Sequence, residues 1–163
     1  MLGPEHPDTL MTVDNLACVY REKGCYDEAA ELFERVWEGR EKKLSPDHSS
    51  TLGTINGLAI VCRYQGHYEE AERLHSLVLE SRKKCLGHKH PKTLRTMDGL
   101  ATVYQLQGRY GEAEALFEQA LAGRQEKLGS EHPDTRQTAE HIKNLKRTLS
   151  SPALASIKKV RSE

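Results

Sequence analysis

Nothing in this chain is long and apolar enough to cross a bilayer, and residues 1–12 lack the basic start and apolar run of a secretion signal. The first absence excludes a membrane-spanning helix, and the second makes the cytoplasm the expected compartment. Net charge is missing too. Lysine plus arginine equals aspartate plus glutamate at 24 each, so no global field recruits nucleic acid or a membrane surface. The four cysteines, Cys18, Cys25, Cys62 and Cys85, form no C-x-x-C pair and share no spacing. That is the pattern of reduced thiols, neither a disulfide framework nor a metal site. A glycine-rich phosphate loop, a G-x-S-x-G elbow and an H-E-x-x-H helix are all missing. The expectation is a chain that is not an enzyme and needs no cofactor.

What is present is repetition. The phrases LGPEHPDTL, LSPDHSSTL, LGHKHPKTL and LGSEHPDTR begin at Leu2, Leu44, Leu86 and Leu128, each 42 residues after the one before. A fixed period of this size marks an array of supersecondary units, and 163 residues hold three units and a fraction. With 37% hydrophobic and 29% charged residues, the composition suits amphipathic helices better than a thick core.

One period reads as two helices. Val13, Leu16, Ala17, Val19 and Tyr20 fall at helical spacing in a first helix A that runs to Gly24. Pro7 suits a first helical turn, and Asp8 suits the positive end of the helix dipole. Ala29, Leu32, Phe33, Val36 and Trp37 then form one stripe on a helix B that ends at Leu44. Leu86-Gly87 and Leu128-Gly129 suggest a glycine stop before the next His-Pro start. The repeated phrase is therefore punctuation, ending one helix and starting another.

His6, His48, His90 and His132 occupy one slot of each phrase, which invites a metal reading. Geometry argues against it. Packed helices lie 8–10 Å apart, so equivalent points two helices along an array stand roughly 20 Å apart, against the about 2 Å that a metal bond needs. No metal is expected. His75 replaces Phe33 and Phe117 inside a helix B stripe and is expected to be packed and hydrogen-bonded, with a groove contact as the alternative.

Aligned by period, the units read NLACVYREKGCYDEAAELFERV, GLAIVCRYQGHYEEAERLHSLV and GLATVYQLQGRYGEAEALFEQA. Their shared Leu-Ala, Gly-x-Tyr-x-Glu-Ala and Leu-Phe or Leu-His resemble the tetratricopeptide repeat. The resemblance implies an all-α fold, a right-handed α-solenoid of helix-turn-helix units. In it a small residue of helix A (Ala17, Ala59, Ala101) meets one of helix B (Ala29, Ala71, Ala113). The 42-residue length, with REKKL at Arg40, RKKCLG at Arg82 and RQEKLG at Arg124 closing helix B, is similar to the longer variant of kinesin light chains and nephrocystin-like proteins. That variant also occurs in arrays carried by NB-ARC or NACHT signalling NTPases. The expected array spans 2–149, with repeats 2–43, 44–85 and 86–127, a capping helix at 133–149, and a flexible basic tail at 150–163.

The two ends of the array differ. Val13, Leu16 and Val19 recur in the fourth unit as Ala139, Ile142 and Leu145, while Ala17 and Tyr20 become Lys143 and Lys146. A helix apolar toward its neighbour and polar beyond is a solvating cap. At the other end Val13, Leu16 and Val19 form an apolar face with nothing before it. Either the chain continues a longer array or two copies meet there, a route to self-association.

In repeats of this kind the A helices line a concave groove where peptides or partner helices lie. The resemblance places Asp14, Cys18 and Arg21 in it from unit one, Asn56, Ile60 and Arg63 from unit two, and Arg95, Asp98 and Gln105 from unit three. Kinesin light chains carry paired asparagines before Leu-Ala that contact cargo peptide backbone. Here Asn15 stands at the second position and Asn56 at the first, in different repeats. The expected function is a protein-interaction module with a protein or peptide partner, without nucleic acid or membrane. The alternative is a structural or sensor array that self-associates or regulates an attached NTPase.

Overall fold

The computed structural model describes residue 3 and residues 5–150, so the 150–163 tail lies outside the described residues except for Ser150. Among the described residues all regular structure is helical: α1 (Pro7–Glu22), α2 (Tyr26–Glu41), α3 (Ser49–Tyr64), α4 (Tyr68–Leu86), α5 (Pro91–Leu106), α6 (Tyr110–Leu128) and α7 (Pro133–Leu149). The chain divides into two compact units, Met1–Gly87 and His88–Glu163. In the first, α1 packs on α2, α2 on α3, α3 on α4, and α1 touches α3. In the second, α5 packs on α6 and α6 on α7. Odd-numbered helices are A helices and even-numbered ones B helices.

The repeated phrase does start helices, and its histidine does more than the spacing suggested. His6, His48, His90 and His132 are the N-cap residues of α1, α3, α5 and α7. Each accepts, through Nδ1, the backbone N–H two residues on, at 3.2–3.3 Å. An N-cap acceptor satisfies one of the donors that a helix start leaves without an intrahelical partner. The four imidazoles are thus spent on local capping.

The helix stops follow glycine. Gly87 and Gly129 adopt φ of 88° and 83°, and α4 and α6 run to the leucine before them. The first period has Ser45 in that slot, and a Cβ penalises positive φ. There α2 ends at Glu41 and the chain leaves through Lys42, so helix B of the first repeat stops short of the expected Leu44.

Small residues set the helix spacing. Ala17, Ala29, Ala59, Ala71, Ala101 and Ala113 are all fully buried. Across the α2–α3 joint Phe33 lies over Gly57, where a Cβ would stand 2.7 Å from the ring. The cap α7 buries Ile142 and Leu145 against Ala101, Ala113 and Phe117, and burying a leucine contributes roughly 1.5–3 kcal/mol. Ala139, expected on the same face, is exposed.

Candidate functional site

The candidate site is the set of A-helix side chains that the repeat resemblance assigns to partner contact. In the first unit these come from α1 and α3. Asp14 does not wait there for a ligand. Its carboxylate lies 3.3 Å from the Arg40 guanidinium and accepts the Thr54 hydroxyl at 2.9 Å, while Arg40 also donates to Thr54 and, at 2.8 Å, to the Ser50 carbonyl. Arg40 is buried, so this is a charge pair held inside the joint between helix B of one repeat and helix A of the next. Asn56, in the slot Asp14 occupies, is itself buried, with 6% of its surface exposed.

What the first unit does offer is smaller and differently placed. Asn15 is exposed, while Cys18, Arg21, Ile60 and Arg63 are half-buried. Arg21 sits 3.8 Å from Glu22. Arg63 lies over the Tyr64 ring at 4.3 Å, and Tyr64, 53% exposed, stacks on Tyr26 with centroids 4.9 Å apart and planes 3° from parallel. Such a stack holds a large aromatic face at low entropic cost. Near the start of α1 a cavity of about 270 Å³ is bordered by Glu5, Leu10, Met11, Arg40, Leu44 and His48.

In the second unit Arg95 is exposed and Gln105 half-buried. Asp98 repeats the fate of Asp14. Arg124, buried, donates to it at 2.5 Å and also bonds Thr138, whose hydroxyl reaches the same carboxylate at 3.4 Å. Burial pushes the Asp98 carboxyl up, with Arg124 pulling the other way. Asp14 and Asp98 are thus engaged by arginine and threonine at the α2–α3 and α6–α7 joints, and Asn56 is buried. The signal was in the sequence as Arg40 and Arg124, Thr54 and Thr138, and the two aspartates, each recurring 84 residues on.

His75 is packed as expected but not hydrogen-bonded, since neither ring nitrogen meets a partner. Burial, reinforced by Arg63 and Arg82, lowers its pKa to about 4 and keeps the ring neutral. Burial likewise pushes the Cys62 thiol up to about 11, away from the thiolate that redox or metal chemistry uses. Among the described residues no three His, Cys, Asp or Glu side chains are placed to hold a metal. On the open face of α1, Leu16 and Val19 are 45% and 46% exposed, whereas Leu58, Val61, Leu100 and Val103 in the same slots are buried. Val13 is half-buried.

Tetratricopeptide repeat models match residues 9–50, 50–126 and 99–156. The chain belongs to the tetratricopeptide repeat family. Among solved structures it is similar to the kinesin light chain nearly identical TPR-like repeats of Podosopora anserina. The likeness to one of them is 32% identity, a TM-score of 0.79, and coverage of 89% of this chain and 67% of that one. A variant of the same protein matches at 30% identity and a TM-score of 0.79, covering 99% of this chain and 77% of that one. BtubC (BKLC) from P. vanneervenii shares the fold at 22% identity and a TM-score of 0.79, covering 94% and 63% of the two chains. Among curated proteins none matches. The chain is thus an all-α tetratricopeptide solenoid of the kinesin light chain type, a protein–protein interaction module. No helix among the described residues is long and apolar enough to cross a membrane.

Proposed function

We propose that this tetratricopeptide chain is a cytoplasmic adaptor that binds a partner segment, peptide or helix, along its A helices and performs no catalysis. The observation that carries this reading is a division of labour among side chains. Asp14 and Asp98 are consumed by Arg40 and Arg124 inside the joints, whereas Ile60, Arg63, Tyr64 and Arg95 remain half or fully exposed. Side chains that the fold does not bury are the ones a partner can meet. The test is selection of a random displayed peptide library on the wild-type chain and on an Arg63→Ala/Arg95→Ala variant. Enriched peptides should lose the variant while its melting temperature is unchanged. Equal capture by both chains contradicts the assignment.

A second reading rests on Leu16 and Val19, exposed where their counterparts are buried. Under it the first-repeat face is an assembly surface and the repeats act as a structural or sensor array. Light scattering across concentration, beside a Leu16→Glu variant, separates the two: a concentration-dependent dimer lost in the variant favours assembly, and a monomer throughout favours the adaptor.

A further inference from the structure

The turn between α2 and α3 is the one place where the first unit departs from the glycine rule. Ser45 stands in the slot held by Gly3, Gly87 and Gly129, and Pro46 follows it. Ser45 and Pro46 are both exposed and outside any helix. The turn is closed by one backbone bond, from the His48 N–H to the Ser45 carbonyl at 3.0 Å. Its far side is anchored separately, because the Ser81 hydroxyl donates to Asp47 at 2.5 Å. Ser45 is therefore presented to solvent, followed by proline, in a turn outside any helix, where a modifying enzyme can meet it.

The residues just before it supply a reason for modification to matter. Lys42 donates to the Glu5 carboxylate at 2.8 Å, and Lys43 donates to the Glu5 carbonyl at 2.8 Å. These two bonds fasten the approach to α1 onto the end of α2, and Glu5 borders the cavity beside Leu10 and Met11. A phosphoserine carries about −1.5 to −2 charges and three acceptor oxygens. Two and three residues from the lysines, it offers them more than a single carboxylate and a carbonyl do.

We infer that Ser45 is a phosphoacceptor for a proline-directed protein kinase, and that its phosphate takes Lys42 and Lys43 from Glu5, releasing the start of α1. In the transfer the seryl Oγ attacks the γ-phosphorus of ATP. The new O–P bond forms as the bond to ADP breaks, and the hydroxyl proton passes to the kinase's base. Glu5 then loses both of its fastenings, and the first turn of α1 opens beside the cavity.

The experiment uses the full chain, Mg-ATP and a purified MAP kinase. Ser151-Pro152, the other Ser-Pro pair, is removed with Ser151→Ala. That variant should take up one phosphate, read by intact mass and located by peptide mapping, and Ser45→Ala/Ser151→Ala should take up none. Hydrogen exchange of the amides of residues 5–12 should then rise about threefold or more on phosphorylation, with α7 unchanged. An unphosphorylated Lys42→Ala/Lys43→Ala variant should already show the faster exchange. Absence of phosphate on Ser45 overturns the inference, and so does a phosphate that leaves exchange at residues 5–12 unaltered.

Discussion

The α2–α3 joint of the first unit and the α6–α7 joint of the second solve one problem with different residues. Both hold an aspartate, an arginine and a threonine in one buried cluster, yet the contact is 3.3 Å at Asp14–Arg40 and 2.5 Å at Asp98–Arg124. Beside the cluster the first joint lets Phe33 down onto Gly57, while the second sets Phe117 against the His141 ring, centroids 5.3 Å apart and tilted by 60°. An internal joint thus closes by removing a side chain, and the capping joint by adding one. The two joints share the polar cluster and differ at the glycine slot, where Gly57 leaves room for the Phe33 ring and His141 packs against Phe117.

The largest test of that comparison is to break the clusters. Arg124→Met leaves a buried carboxylate without its partner and should cost about 3–5 kcal/mol in urea unfolding. Arg40→Met should cost less, because Asp14 is the more exposed acid, and equal losses would mean that contact distance and burial do not decide the strength.

His75 gives the next effect. Its folded pKa of about 4 lies below the ordinary 6.5. Because the ring is favoured neutral in the fold, the unfolded chain binds more protons between those values. Stability is therefore full above pH 6.5 and falls as pH drops toward 4, by on the order of 3 kcal/mol. His75→Phe, which restores the residue of the neighbouring repeats, should widen its advantage over wild type across that window. A gap independent of pH contradicts the buried neutral ring.

Smaller effects belong to the glycine slot and the open face. Gly57→Ala should destabilise by about 1–2 kcal/mol even though alanine favours helix, because the added methyl meets the Phe33 ring. His141→Ala should cost about 0.5–1 kcal/mol. At the bottom of the scale, Val19→Ser should change stability by no more than about 0.5 kcal/mol. Leu145→Ser, in the same slot but fully buried, should cost several times more.

Much of this was legible in the sequence, for reasons tied to particular residues. The period and its His-Pro starts mark helix ends, since proline and glycine restrict the backbone wherever they stand. Leu145 and Ile142 could be placed on the cap because periodicity carries a burial pattern from one repeat to the next. The partners of the site residues were less legible. Periodicity places Asp14 on helix A but does not say that Arg40, 26 residues on, is long enough to claim it. Likewise the orphaned nitrogens of His75 depend on what surrounds the slot, which a single residue type does not report. The early end of α2 was readable after all, in the one serine among glycines at position 45.

Under the proposed function, a partner meets the A helices through the side chains the joints leave over. Methyl-resolved NMR of the chain, titrated with a peptide selected from a random library on it, tests this most directly. The Ile60 methyl should shift while Leu16 and Val19 on the open face of α1 and Leu77 on α4 stay still. Shifts confined to Leu16 and Val19, with Ile60 silent, would contradict it.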